Sequence, residues 1–184
     1  MCIRDRDYTY QVAEGVSVDR NAAYNAINNN MTPEKQLIPL GHDQRHTLNV
    51  TTNIGVPGNW NVGIIAKWST GMPYTIGNLE LVQLTQIANT GVKPAKTNVD
   101  MRFDKTLNFA GINFNLYVRV SNLFDTMNEY NVFDDTGRAT YTTLENKYSE
   151  TQASKMINDL REHLIQPTDF SHPRRVVAGV QFDL

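Results

Sequence analysis

The sequence predicts an all-β fold: a portion of an antiparallel transmembrane β-barrel, about six strands with short turns at one rim and long loops at the other. Three observations carry this expectation. Period-two alternation recurs along the chain, most clearly in HTLNVTTNIGVPGNWNVGIIAKW, His46 to Trp68. Two connections are very short, whereas three others run to roughly 25 residues or more, beyond the usual loop length of a compact domain. Aromatic residues gather toward the strand ends, as Tyr8, Tyr10, Trp60, Trp68, Tyr74, Phe109 and Phe182 do, where a membrane interface would want them.

Each strand follows from parity, because successive side chains leave a strand on opposite faces. The first candidate, Asp7 to Ala13, sets Tyr8, Tyr10 and Val12 on one side. The second and third flank Pro57-Gly58-Asn59, a tight-turn sequence that makes the pair an antiparallel hairpin. Leu48, Val50, Ile54, Val62, Ile64 and Trp68 share one face of it; Asn49, Asn53, Asn61 and Lys67 share the other. The fourth, about Asn98 to Phe109, opposes Val99, Met101, Phe103, Leu107 and Phe109 to Asn98, Asp100, Arg102, Asp104, Thr106 and Asn108, with Lys105 breaking the apolar side. After Ala110-Gly111 the fifth, about Ile112 to Asn122, sets Ile112, Phe114, Leu116, Val118 and Val120 against Asn113, Asn115, Tyr117, Arg119 and Ser121. The sixth is RRVVAGVQFDL, with Val176, Ala178, Val180, Phe182 and Leu184 together. One helix is expected in the last long loop, from the capping box Ser149–Gln152 through Ala153, Met156, Ile157, Leu160 and Leu164 to a stop at Pro167.

Alternation alone admits two environments. In a soluble sandwich the apolar face meets a core; in a barrel it meets lipid, and the small polar face meets an aqueous lumen. Connection lengths favour the barrel, since sandwiches show turn signals about every 8–12 residues. The lumen-facing candidates are then Asn49, Asn53, Asn61, Lys67, Asp100, Arg102, Asp104 and Arg119, the charged ones pairing across neighbouring strands. Lys105 would snorkel to a rim.

Composition narrows the function. In 184 residues, 17 Lys and Arg stand against 19 Asp and Glu, a formal charge of −2 that implies no nucleic-acid affinity. No apolar run approaches the length of a membrane helix. The single cysteine, Cys2, forms no intrachain disulfide or thiolate metal cluster. It lies in MCIRDR, residues 1–6, which reads as translated sequencing adaptor and is set aside, leaving 7–184 as the barrel portion, expected to be a fragment. HDQRH, His42 to His46, invites a metal reading, but on a strand the two histidines stand about 13 Å apart, too far to share an ion. DDTGR, Asp134 to Arg138, lacks the ligand spacing of an EF-hand and the glycines and lysine of a phosphate loop, and reads as a turn. No catalytic constellation stands out; neither an enzyme nor a cofactor is expected.

PLGHDQRHTLNV, GMPYT, LYVRVSNLFDTMNEYNVFDDTGRA and the final RRVVAGVQFDL together resemble the C-terminal barrel strands of TonB-dependent outer-membrane receptors, across most of residues 7–184. The resemblance implies a 22-stranded barrel in the bacterial outer membrane, closed around a plug and importing a scarce ligand of unspecified chemistry. Its partners would be outer-membrane lipid, the TonB energy-coupling complex acting through an N-terminal region, and the outer-membrane assembly machinery. These six strands would be the last six, with long loops extracellular and short turns periplasmic. The assembly signal would lie at Val180, Phe182 and Leu184, with Leu184 standing where such barrels usually end in an aromatic. The plug and the TonB contact motif do not occur in these residues. Other outer-membrane barrels, of porin or adhesion type, and a soluble β-rich binding module are the alternatives.

Overall fold

The computed structural model describes residues 2–17, 20–29, 36–77, 88–109, 112–143 and 165–183. Alternation is realised as one antiparallel sheet of six long strands: β1 (Cys2–Tyr10), β4 (His46–Val56), β5 (Trp60–Ser69), β8 (Lys96–Phe109), β9 (Ile112–Ser121) and β10 (Arg175–Asp183). Their spatial order, β1-β4-β5-β8-β9-β10, is a meander in which each strand pairs with its predecessor along the chain. Two short ribbons decorate the connections, β2 (Glu14–Gly15) with β3 (Ile38–Pro39), and β6 (Pro73–Tyr74) with β7 (Gly91–Val92).

Register fixes which ends meet. Tyr10 pairs with His46, Thr47 with Ser69, Ser69 with Lys96, and Ser121 with Arg175, so the three long connections all leave from one end of the sheet. Val56 pairs with Trp60 and Phe109 with Ile112, placing both short connections at the opposite end. Between β4 and β5, Gly58 takes φ +76, a left-handed conformation that glycine adopts without a Cβ penalty.

The same register aligns the faces. From strand to strand Leu48–Trp68, Val50–Ala66, Ile54–Val62, Ile64–Met101, Val62–Phe103, Met101–Val120, Phe103–Val118, Leu107–Phe114, Leu116–Val180 and Phe114–Phe182 stand opposite one another. A one-residue slip in any ladder would throw a strand's apolar set onto the polar side, so continuity across these four ladders is a strong statement about register. Among the described residues most of this apolar face is uncovered. Val176 and Phe182 are each 61% exposed, Ile54 42% and Phe103 38%. Among the described residues Val120 is the one buried apolar residue of the six strands; the others, Ile38, Ala139 and Phe170, lie in the connections at the long-loop end.

The sheet is open, as a six-stranded portion would be: β1 and β10 are its two edges, and no closed barrel forms among the described residues. Six strands are fewer than the eight of the smallest bacterial barrels, so these residues alone do not close. Other expectations need correction. Residues 2–6, set aside in the sequence reading, extend β1 along β4, and the strand ends at Tyr10 rather than Ala13. Pairing uses backbone groups and tolerates any sequence, but the face rule fails here: Arg4 and Arg6 stand opposite Thr52 and Val50 on the apolar side. A helix the sequence did not announce, α1 (Ala22–Asn28), occupies the first long connection, with no side-chain cap. The helix expected from Ser149 falls largely outside the described residues, whose chain resumes with a 3-10 turn at Pro167–Asp169. Lys105 behaves as its position demands: its Nζ reaches the Asn59 side chain in the short turn, carrying the charge off the apolar face.

Candidate functional site

All eight polar candidates share the face opposite the apolar one. Asn49 stands beside Lys67, Asn53 beside Gly63, Asn61 beside Asp104, Gly63 beside Arg102, Ile65 beside Asp100, and Arg102 beside Arg119. The expected cross-strand ion pairs do not form. Arg102 instead grips Asp104 two residues along its own strand, with Nε to both carboxylate oxygens at 2.9 and 3.0 Å and Nη2 to Oδ1 at 2.7 Å. Its guanidinium also lies 5.1 Å from the Tyr117 ring. Residues two apart on a strand share a face, and here the i+2 carboxylate outcompetes a partner across the ladder, because Arg119, directly opposite Arg102, carries the same charge. Asp100 accepts the Asn122 N–H at 2.9 Å. Toward the short-turn end, Asn53, Asn61, Asp104, Thr106 and Asn115 line a cleft of about 250 Å³.

At the long-loop end the three connections interlock, and most of the buried side chains lie here. The stretch SNLFD makes the tie between β9 and β10. Asn122 and Asp125 take φ of +54 and +55, left-handed values that Asn and Asp tolerate best among residues with a Cβ. Asn122 Oδ1 accepts the Thr126 N–H at 2.9 Å while its Nδ2 donates to Thr126 O and His172 O, and Asp125 accepts the Arg174 N–H at 2.7 Å. Asn128 then docks the loop on β8 by a two-way exchange with the Thr97 backbone, both bonds at 2.8 Å.

Glu129, 6% exposed, organises the next turn. Arg138 donates to Oε1 through Nη2 at 2.7 Å and Nε at 3.0 Å, and Ala139 N–H donates to Oε2 at 2.5 Å. These bonds hold the Arg138 guanidinium pKa above its ordinary value. DDTGR is indeed a turn, closed by the Gly137 N–H on Phe133 O and by Gly137 at φ +68, where any Cβ would strike the Tyr74 hydroxyl. Burial pushes the Asp135 carboxyl pKa up, but the Thr143 hydroxyl, the Thr143 N–H and the Thr142 hydroxyl all donate to Oδ2, and together they leave it below the ordinary value. Gly77 N–H donates to Asp134 O and Asn89 Nδ2 to Pro39 O, so each loop is tied to the next.

HDQRH belongs to the same scaffold. Asp43, 2% exposed, accepts the Ala13 N–H at 3.0 Å and pairs with Arg45 at 2.8 Å, Arg45 reaches Glu14 at 2.9 Å, and His46 Nδ1 meets the Tyr8 hydroxyl at 2.8 Å. No group of three or more metal-binding side chains converges among the described residues.

The chain matches no family model, and no curated protein or solved structure is similar to it.

The residues that order this rim, Asp43, Asn122, Asn128, Glu129 and Thr142, were not singled out from the sequence. The sequence signal was present only in outline: Asn and Asp flanking Leu-Phe where a strand pattern stops. On the apolar side Val180 and Phe182 are exposed, Phe182 meeting Phe114 edge to face at 5.8 Å, while Leu184 lies outside the described residues.

Glu129→Ala is expected to free the turn at 133–139 while leaving the sheet intact. It strands the Ala139 N–H and one face of Arg138, worth about 1–3 kcal/mol for a buried group, and toward the lower end because Arg138 is half in water. Limited proteolysis checks this: cleavage within 130–143 should accelerate several-fold over the parent, and equal rates would show that the turn does not depend on Glu129.

Proposed function

We propose that this chain is part of the wall of an outer-membrane β-barrel, the C-terminal strands of a TonB-dependent receptor that imports a scarce ligand. The observation that carries the membrane part is the largely uncovered apolar face running across β4, β5, β8, β9 and β10 and onto the Tyr8–Tyr10 end of β1. Five of its rings, Tyr8, Tyr10, Trp68, Phe103 and Phe182, are 38% to 61% exposed. At about 200 Å² per aromatic side chain that is on the order of 500 Å² from rings alone, already near the largest patch of a typical soluble monomer, about 300–600 Å².

Dimensions support the same reading. A ten-residue strand such as β5 rises about 33 Å along its axis, and at a tilt of about 45° it covers roughly the 25 Å apolar band of a barrel wall. The two tryptophans of the chain, Trp60 and Trp68, mark the two ends of this strand on the apolar side, where interfacial girdles lie. Long connections at one rim and short turns at the other fit extracellular and periplasmic sides. Open edges on β1 and β10 are where further wall strands would continue the cylinder. The receptor assignment, with its plug, its TonB coupling and its imported ligand, rests on the resemblance of SNLFD, DDTGRA and the terminal amphipathic strand.

Residues 7–184 expressed without detergent are therefore expected to aggregate and to become monodisperse only in detergent or lipid. Size-exclusion chromatography with a thermal melt decides the matter. A monodisperse monomer melting cooperatively in plain buffer would overturn the membrane reading in favour of a soluble β-rich module.

A further inference from the structure

A second cleft lies on the polar face at the long-loop end, about 160 Å³ in volume, and its lining includes Lys67, Lys96, Asn49, Asn98, Asn128 and Tyr130. We propose that it binds an anionic group, a phosphate or carboxylate carried by a small soluble ligand. That the ligand arrives from outside the cell rests on the receptor reading; the site itself rests on the geometry below.

Register puts the two lysines together. Lys67 pairs with Asn98 and Ser69 with Lys96, so Lys67 and Lys96 are diagonal neighbours on one face, roughly 7–8 Å apart at their bases. Both side chains are long enough to converge on one anion. Neither has an ion-pair partner among the described residues, where every salt bridge uses an arginine. Asp100, diagonal to Lys67 on the same face, turns to the Asn122 N–H and does not line the cleft. Glu129, next to the cleft in sequence, is taken by Arg138. An anion between them would accept charge-assisted hydrogen bonds from both ammonium groups at once.

The wall above the lysines is held in place rather than draped. Asn128, 6% exposed, fixes the loop to Thr97 by two hydrogen bonds, and this positions Tyr130, whose ring takes Lys96 Nζ at 4.7 Å and whose carbonyl accepts Lys93 Nζ at 2.8 Å. Asn98 flanks Lys67 on β8 and brings an amide donor to the same space, while Asn49, on the other side of Lys67, turns its amide to the Asp7 carboxylate at 3.4 Å. The volume is below the about 300–1,000 Å³ of a drug-sized pocket, so it takes an anionic headgroup and not a whole large ligand.

The test uses the full-length protein in the form in which it folds, titrated calorimetrically with pyrophosphate, with citrate and with glucose as a neutral control. We expect saturable binding of at least one anion and none of glucose, weakening as salt rises, with affinity reduced tenfold or more in the Lys67→Gln, Lys96→Gln double variant and unchanged in Lys105→Gln, whose lysine lies on the other face. Which anion binds tighter separates phosphate from carboxylate chemistry. Should the double variant misfold, acylation of the parent protein decides: the bound anion should protect Lys67 and Lys96 from an amine reagent, but not Lys105. Absence of saturable anion binding, or binding without protection of these two lysines, overturns the site. Heat-modifiable mobility of the same samples reports on the barrel separately, so a soluble protein that binds pyrophosphate here would defeat the receptor reading and keep the site.

Discussion

Ile64→Arg in the full-length protein is expected, on the proposed barrel reading, to destabilise the membrane-folded state by about 2–4 kcal/mol, the cost of a cationic side chain on a lipid face near the bilayer midplane. Ile64 stands between Thr52 and Met101, halfway along β5 and in the middle of the apolar face. Val62→Arg, nearer the short turn and flanked by Ile54 and Phe103, should cost less, because the penalty falls to about 0–1 kcal/mol toward the interface. Lys105 shows how a cation is tolerated at that end: it reaches back to Asn59 in the turn. Asn61→Arg, one residue from Val62 but beside Asp104 on the polar face, should be the mildest of the three. Folding yields into bilayers in a urea series give the ordering. Equal damage from Ile64→Arg and Asn61→Arg would mean that the two faces do not meet different solvents. Equal damage from Ile64→Arg and Val62→Arg would mean that no depth gradient exists, as in a protein core.

The sheet was legible because its determinants are local. Each residue of HTLNVTTNIGV and WNVGIIAKWS chooses a face by parity, and Pro57-Gly58 marks the reversal, so β4 and β5 appear where alternation places them. Parity also set Lys105 apart as an exception that needed an escape route. The loop scaffold was not legible, because its partners lie far apart in sequence and carry no period. Asn128 meets Thr97 across 31 residues and Asn122 meets His172 across 50, and nothing in either local stretch names the other. The charged set on the polar face was half legible: its shared face followed from parity, but Arg102 chose Asp104 on its own strand, a choice made by the like charge of Arg119 opposite. Closure was beyond the sequence pattern, since alternation describes a strand's faces and says nothing of what pairs with its edge. Arg4 and Arg6 make the complementary point. Backbone pairing extends β1 through them, although their side chains break the face rule kept from Tyr8 onward.

On the proposed outer-membrane reading, removing Gln181 to Leu184 from the full-length gene is expected to lower folded protein in the membrane several-fold, and Phe182→Asp should do nearly as much. These residues form the end of β10, where Gln181 pairs with Asn115, Phe182 with Phe114 and Asp183 with Asn113. The deletion takes away three ladder positions and the edge-to-face contact of Phe182 with Phe114, worth about 0.5–1.5 kcal/mol beyond the area it buries. The larger effect concerns the free side of the strand. In a closed barrel β10 must pair with a further strand along its whole length, and each backbone group left unpaired in lipid costs several kcal/mol. A shortened β10 leaves its neighbour unpaired as well. Phe182→Asp keeps the backbone but places a carboxylate where Val180 and Phe182 present an apolar, aromatic end to the short-turn rim, and this is also the face the assembly machinery would read if the chain is a barrel of the kind it resembles. Leu184→Phe, which adds an aromatic to that same set, should leave folded levels equal or raise them. Heat-modifiable mobility of membrane-inserted protein separates folded from unfolded forms in all three variants. Folded levels unchanged by the four-residue deletion would show that β10 closes no cylinder.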